Sequence, residues 1–292
     1  MNADILVELT YLLSAILFVV GLKRLQSPAT ARGGNALASF AMLLAIIATL
    51  VDTDILGWTG ILGGVALGGI IGGIAARKVE MTSMPEMVGI FNAFGGGASA
   101  LVAVAEFLNS PTVGMSTAGV SMLLGTVIGG VTFTGSFVAF AKLKGLITGN
   151  PITFPGQNAT NGVLVLGALA LGAMTLGVFG GQDPATLFYI FCGLSLLLGV
   201  LMVIPIGGAD MPVVISLLNS YSGLAASAAG FVIGNMVLII AGALVGASGL
   251  ILTQLMCKGM NRSLANVVFG GVGGTDAFED VPDRSDDAPE AS

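Results

Sequence analysis

Residues 211–257 have the sequence MPVVISLLNSYSGLAASAAGFVIGNMVLIIAGALVGASGLILTQLMC. This stretch contains two long apolar runs with a single short turn between them, at Gly234 and Asn235. Roughly 20 apolar residues are needed to cross the hydrocarbon core of a bilayer, so each run is long enough for one crossing. The turn leaves no room for a connecting loop. We therefore predict two transmembrane helices that form a tight antiparallel hairpin.

Seven more apolar segments precede this hairpin. The nine predicted spans cover residues 4–22, 34–51, 57–76, 84–107, 117–141, 160–180, 185–206, 211–233 and 235–257. Only 9% of the residues are charged, against about 25% in ordinary soluble domains. The apolar runs are continuous rather than alternating, which argues against a transmembrane β-barrel. The sequence therefore predicts an all-α fold, a polytopic membrane bundle with about nine transmembrane helices.

All basic residues occupy positions that can lie on the same side of the bilayer. The ten Lys and Arg residues are Lys23, Arg24, Arg32, Arg77, Lys78, Lys142, Lys144, Lys258, Arg262 and Arg284. All of them follow odd-numbered spans, and the loops after even-numbered spans contain none. By the positive-inside rule, this pattern predicts a multi-pass protein of the cell (inner) membrane with its N-terminus outside and its C-terminus in the cytoplasm.

The last part of the sequence is acidic. It contains seven Asp and Glu residues and one basic residue, Arg284, and such polar segments usually stay disordered. We expect a transmembrane domain over residues 1–265 and an acidic, flexible linker over residues 266–292. The chain has no His, and Cys192 and Cys257 lack the paired spacing of a metal site. The sequence therefore indicates buried, inert thiols and no bound metal.

Polar side chains inside the predicted spans are candidates for function, because ionisable and amide groups are costly to place in lipid. In span four, Glu86 lies near the cytoplasmic end, and Asn92 lies about 9 Å further into the membrane. Gly96 and Ser99 follow Asn92 on the same helix face. Three hydroxyl-bearing residues interrupt the cytoplasmic half of span five: Thr132, Thr134 and Ser136.

Span eight carries a second set of polar residues. Asp210 lies at its cytoplasmic mouth, and Asn219 lies about 13 Å deeper, near the midplane, with Ser222 on the same face. Carboxylates can exchange protons, and neutral amides and hydroxyls can hydrogen-bond a chain of water molecules. The two sets together are compatible with a hydrated proton path. Composition alone does not distinguish such a path from an ion channel or a secondary transporter.

The same residues also have purely structural interpretations. Ser and Thr in membrane helices commonly bond to carbonyls of their own helix, and buried amides can join neighbouring helices, as in a membrane scaffold. Glu86 and Asp210 could form ion pairs with basic residues at the same face, of which the candidates are Arg77, Lys78 and Arg262. A small-residue ridge in span three favours close helix packing; it consists of Gly64, Gly68, Gly69, Gly72 and Gly73.

Several longer motifs resemble the beta subunit of proton-translocating NAD(P) transhydrogenases. They are VEMTSMPEMV at 79–88, VTFTGS at 131–136, GGADMPVV at 207–214, LNSYSG at 218–223 and MNRS at 260–263. They occur in the same order as in that family, and the resemblance extends from the first span to about residue 275. It implies a membrane domain that couples proton movement to hydride transfer between NADH and NADP.

The resemblance also implies which residues act. The proton path would comprise Glu86, Asn92, Ser99, Thr132, Ser136, Asn219 and Ser222, on spans four, five and eight. Asp210 and Arg262 match positions that communicate with a nucleotide-binding domain. Relatives commonly have a His at the position of Asn92, so here the titrating group would be Glu86 with water, or a residue of the partner subunit.

The family further implies what lies outside this chain. NAD(H) would bind to an alpha subunit, which also adds transmembrane helices, and NADP(H) would bind to a soluble domain that follows the acidic linker. We expect no cofactor and no hydride-transfer site in this chain itself. The expected partners are the alpha subunit, a second protomer and membrane lipid, and not nucleic acid.

Overall fold

The computed structural model describes residues 3–52, 58–111, 114–178 and 183–269. Nine long helices account for most of them: α1 (Ala3–Leu25), α2 (Ala31–Asp52), α3 (Trp58–Lys78), α4 (Met84–Asn109), α5 (Thr117–Leu143), α6 (Gln157–Thr175), α7 (Pro184–Val203), α8 (Met211–Ile233) and α9 (Met236–Gly259). A short helix follows them, α10 (Leu264–Phe269). Within the described ranges, nine helices are long and apolar enough to cross a membrane. The predicted all-α bundle is therefore confirmed.

The predicted hairpin of the last two spans is present. Gly234 ends α8 in a left-handed conformation with φ 70°, and the side chain of Asn235 caps α9 by accepting a hydrogen bond from Leu238 N. The two helices then pack backbone against backbone: a Cβ added to Gly223 would lie 2.5 Å from Gly246 N. Small residues permit this approach, which is how helices associate closely in lipid.

Two predicted spans end later in the sequence than in the structure. The sixth was expected over 160–180, but α6 ends at Thr175 because Gly177 turns the chain with φ 79°. The seventh was expected over 185–206, but α7 ends at Val203. In both cases the apolar sequence continues past the helix end, so hydropathy alone could not place it.

The beginning of α7 is fixed by a side chain. The carboxylate of Asp183 accepts hydrogen bonds from Ala185 N, Thr186 N and Thr186 Oγ1. The Thr186 hydroxyl, and then its amide, hold the pKa of the exposed Asp183 carboxyl below its ordinary value. Such a cap satisfies backbone N–H groups that a helix N-terminus leaves without partners.

Helices α5 and α8 form the centre of the bundle. α5 packs against α4, α7 and α8, while α8 also packs against α4 and α9; α1 and α2 form a peripheral pair, and α6 lies against α7. We call the end of the bundle that contains Lys142, Lys144, Lys258 and Arg262 the basic end. There, Met211 is fully buried in an apolar cluster. At the opposite end, a second apolar cluster joins α4 to α7.

Helix α3 differs from the prediction made for it. Its glycine ridge was expected to pack, but none of its residues is buried within the described part of the chain. A Cβ added at Gly64, Gly68 or Gly72 would meet no described atom within 4 Å. The ridge therefore has no packing partner among the described residues of this chain.

The predicted boundary at residue 265 falls inside α10. Val267, in this helix, is 1% exposed and packs in the same apolar cluster as Met211. The packed part of the chain thus extends two residues past the predicted boundary. The rest of the predicted acidic linker, 270–292, lies outside the described residues.

Candidate functional site

A polar group joins three helices in the middle of the bundle. Asn92 Nδ2, on α4, donates a hydrogen bond to Ser136 Oγ, on α5, over 2.9 Å. Ser222 Oγ, on α8, donates to the backbone carbonyl of Asn92 over 3.3 Å. Asn92 is 7% exposed and Ser136 is fully buried. The structure thus brings together three residues that the sequence placed on three separate spans.

Glycines explain why these side chains meet. A Cβ on Gly96 would lie 2.8 Å from Thr132 Cβ, and a Cβ on Gly129 would lie 2.7 Å from the Gly96 carbonyl oxygen. Helices α4 and α5 therefore cross with their backbones in contact. One helical turn from this crossing, the distance between the helices suits a direct hydrogen bond from Asn92 to Ser136.

Thr132 and Ser99 lie beside this crossing. Thr132 is fully buried, and its Oγ1 has no hydrogen-bond partner among the described residues. Buried hydroxyls are nearly always satisfied by protein or ordered water, so this oxygen is suited to bind water. Ser99 Oγ bonds to the Gly95 carbonyl of its own helix over 3.2 Å, which is the structural interpretation given above for such hydroxyls.

Thr134 has a structural role of the same kind. Its hydroxyl lies 3.2 Å from the Gly130 carbonyl of its own helix and 2.7 Å from the Leu196 carbonyl of α7. The second bond joins α5 to α7. Thr134 thus faces α7, whereas Ser136 faces α4.

Asn219 does not join the polar group. Its side chain is exposed on α8, whereas the residues on both sides of it, Leu218 and Ser220, are buried. In the described part of the chain, no other helix covers Asn219. A residue expected to line a path therefore lies on the outer surface of the bundle formed by this chain.

Two ion pairs lie at the basic end. Glu86 Oε2 and Lys144 Nζ are 3.0 Å apart, so the suggested partners Arg77 and Lys78 were wrong for this carboxylate. The N-terminal part of α4 packs against the C-terminal part of α5, where Gly89 lies beside Phe140, and this placement brings Glu86 to Lys144.

The second ion pair joins Asp210, just before α8, to Arg262, just after α9. It is one of the pairings that the sequence suggested. Asp210 Oδ1 is buried and has no hydrogen-bond partner among the described residues. That oxygen can accept a further hydrogen bond.

Polar residues around the C-terminal end of α7 were not among the predicted site residues. Lys142 is 4% exposed and donates to main-chain carbonyls. Gln157 Nε2 and Asn161 Nδ2, both on α6, donate to the Leu201 carbonyl over 3.1 and 3.4 Å. Lys142 had been used only for topology. Lys142 lies three residues after the fully buried Ala139, and so on the inner face of α5, which the sequence alone does not show.

Comparison with known proteins places these residues in a family. Residues 7–290 match the family described as NAD(P) transhydrogenase beta subunit. Over 270 residues the chain is 46% identical to the NAD(P) transhydrogenase subunit beta of Rhodospirillum rubrum, covering 90% of this chain and 57% of the relative. A second sequence of the same name, from a strain of that organism, gives the same values. The chain thus spans little more than half the length of these curated relatives.

Proposed function

Because this chain belongs to the NAD(P) transhydrogenase beta subunit family, we propose that it forms the membrane domain of a proton-translocating enzyme. This domain couples proton movement to hydride transfer between NADH and NADP, which takes place on other domains. The main support within the structure is the buried hydrogen-bonded group of Asn92, Ser136 and Ser222. A polar group buried at such depth in membrane helices is a candidate for a transport path.

The proposed path begins at the basic end with Glu86, whose carboxylate can exchange protons with bulk water. It continues past Asn92 and Ser136 to Thr132, a buried hydroxyl with no hydrogen-bond partner among the described residues. These groups orient water and accept its hydrogen bonds, whereas the protons move along the water. Ser99, one helical turn beyond Gly96, continues the line toward the opposite end.

Asn219 supports a path completed by another subunit. Its amide lies on an exposed face of α8, on the same helix as Ser222, which bonds to Asn92. An exposed amide within a membrane span is costly unless another polar surface covers it. We infer that helices of an alpha subunit cover this face, so that Asn219 and Ser222 line the path together. A second protomer and lipid surround the remaining surface.

Coupling is assigned to the Asp210–Arg262 pair at the basic end. The pair links the beginning of α8 to the segment after α9, and the 41% exposed side chain of Arg262 can contact a docking domain. In this proposal NADP(H) binds to that docking domain and NAD(H) to the alpha subunit. A change in nucleotide state would act on the path by moving these helix ends.

The proposed orientation in the membrane also rests on the basic end of the bundle. Short loops rich in Lys and Arg stay in the cytoplasm, so the basic end faces the cytoplasm and the N-terminus lies outside. The protein would be a multi-pass protein of the cell (inner) membrane. The domain that binds NADP(H) then docks on the side where the nucleotide is available.

The proposal is tested by replacing Asn92 with Ala in the complete enzyme, reconstituted in vesicles. Proton pumping and reverse transhydrogenation should both fall about tenfold or more, which corresponds to about 1.4 kcal/mol in the barrier. The matched control is Asn158→Ala, which removes an exposed amide at the start of α6 and should leave both rates unchanged. Normal pumping by the Asn92 variant would exclude this residue from the path.

A further inference from the structure

Lys142 is a buried cation at the basic end that the proposed path does not use. Its Nζ donates to the carbonyl oxygens of Ile204 over 2.6 Å, Ile206 over 2.8 Å and Asn150 over 3.1 Å. An ammonium group has three N–H donors, so these carbonyls use all of them. Neither ion pair found among the described residues includes Lys142. The positive charge of Lys142 is therefore stabilised by main-chain carbonyl dipoles, and no carboxylate among the described residues pairs with it.

The three carbonyls belong to two separate segments. Ile204 and Ile206 lie in the linker between α7 and α8, which we define as residues 204–210, and Asn150 lies in the loop between α5 and α6. Backbone bonds join the same two segments: Gly208 N donates to Gly149 O over 2.7 Å, and Ile152 N donates to Ile204 O over 3.3 Å. Lys142 thus fastens both segments to the end of α5.

The linker ends at a residue already assigned to coupling. A single 3₁₀ turn, Gly208–Asp210, carries Asp210 to the start of α8, where it pairs with Arg262. Two residues beyond Lys142, Lys144 pairs with Glu86 at the entrance of the proposed path. The end of α5 therefore makes two connections. Lys144 contacts Glu86 at the path entrance, and Lys142 holds the linker that leads to the Asp210–Arg262 pair.

We propose that Lys142 is a positioning residue that sets the place of the α7–α8 linker, and with it Asp210, relative to the hydroxyl-bearing helix α5. This inference rests on the proposed function. A buried charge is costly, and apolar residues of similar volume often stabilise a core as well or better. Packing alone therefore does not require a lysine here. A cation bonded to carbonyls of two segments instead ties the segments to each other. A shift of the linker would break the bonds to Ile204 and Ile206, which are two of the three.

The first test measures whether Lys142 holds the linker. Hydrogen exchange of the complete enzyme should become about tenfold faster or more at the hydrogen-bonded linker amides in Lys142→Met, since their exchange is governed by local opening; these amides are Ile204, Ile206, Gly208 and Asp210. Lys142→Arg retains the charge and the donors and should restore most of the protection. Lys78→Met removes an exposed lysine from the same end and should change nothing in the linker. Unchanged exchange in Lys142→Met would overturn the proposal.

The second test separates positioning from simple stabilisation. In vesicles, Lys142→Met should lower the number of protons pumped per hydride transferred and raise the KM for NADP(H), with a smaller effect on kcat, and Lys142→Arg should recover both values. If the linker exchanges faster but pumping per hydride and KM stay at wild-type values, Lys142 only anchors the fold and the proposal is wrong. Should Lys142→Met fail to assemble, Lys142→Gln, which retains two N–H donors, is measured in the same way.

The two tests also distinguish this proposal from the one on which it rests. A wild-type enzyme that transfers hydride without moving protons would refute the proposed function and, with it, the coupling role of Lys142. The exchange measurement would still decide whether Lys142 fixes the linker.

Discussion

Asn92 connects helices through two different groups. Its side-chain nitrogen donates to Ser136, and its backbone carbonyl accepts from Ser222. An amide does not titrate, so Asn92 can orient water and adjacent hydroxyls but cannot take up a proton. A histidine at this place in the bundle would titrate. This difference in chemistry can be tested directly.

Replacing Asn92 with His should introduce a new ionisation into the pH dependence of pumping. An imidazole ionises between about pH 5 and 8, and no other side chain of this chain, which lacks His, has an ordinary pKa in that range. The measurement is the pH profile of proton pumping by the complete enzyme. Asn158→His, at an exposed position, is the matched control and should retain the wild-type profile. An unchanged profile in Asn92→His would mean that the path does not pass this residue.

The Asp210–Arg262 pair permits a charge-exchange experiment. Asp210→Arg places two cations together and Arg262→Asp two anions, so each single variant should reduce pumping per hydride. The double variant restores an attractive pair and should recover part of the lost coupling. Thermal unfolding is measured in parallel, because the Asp210 side chain is only 13% exposed, against 41% for Arg262, and a loss of stability must be separated from a loss of coupling. Recovery no better than in the single variants would show that the pair does not act through its mutual attraction.

At the scale of the elements, the α4–α5 crossing depends on glycine. Gly129→Ala would place a Cβ 2.7 Å from a backbone oxygen and 2.9 Å from a backbone nitrogen, so the helices would have to separate. Such overpacking should cost about 1–3 kcal/mol. Gly193→Ala in α7 is the control, because its Cβ meets no described atom within 4 Å. Thermal unfolding of the purified protein should show a lower midpoint for Gly129→Ala alone; equal midpoints would mean that the crossing tolerates a wider spacing.

The same crossing should also affect the site. If Gly129→Ala separates α4 from α5, the distance from Asn92 Nδ2 to Ser136 Oγ must grow beyond the present 2.9 Å. Pumping should then fall together with stability. A variant that is less stable but pumps normally would show that this hydrogen bond is not needed.

For the whole molecule, the sequence was sufficient to predict the number of spans and the α8–α9 hairpin, because both depend on hydropathy summed over long segments. It could not predict helix ends such as Thr175, where apolar sequence continues past a positive-φ Gly177. The sequence also could not predict which basic residue pairs with Glu86, because the pairing depends on which helix ends meet in the folded bundle. Tertiary packing, rather than local composition, decides such features.

The burial of single side chains could not be predicted from the sequence. The sequence placed Asn219 near the midplane, but it could not show that the side chain lies on the outer surface of the bundle. The α3 glycines illustrate the same limit, because a packing motif does not identify its partner. The role of Lys142 could not be predicted either, because its three acceptor carbonyls lie 8 to 64 residues away in the sequence.

The proposed orientation of the whole bundle rests on a single physical rule and can be tested with two exposed loop residues. Met115 lies between α4 and α5, at the end opposite the basic end, and Leu146 lies between α5 and α6, at the basic end; they are 74% and 68% exposed. In a background with Cys192 and Cys257 replaced by Ala, a membrane-impermeant maleimide applied to the outer face of the membrane should label Met115→Cys and not Leu146→Cys. Inverted vesicles should reverse the pattern, because short basic loops stay in the cytoplasm. Labelling of Leu146→Cys from outside would place the basic end outside, and the Asp210–Arg262 pair could then no longer face a cytoplasmic nucleotide domain.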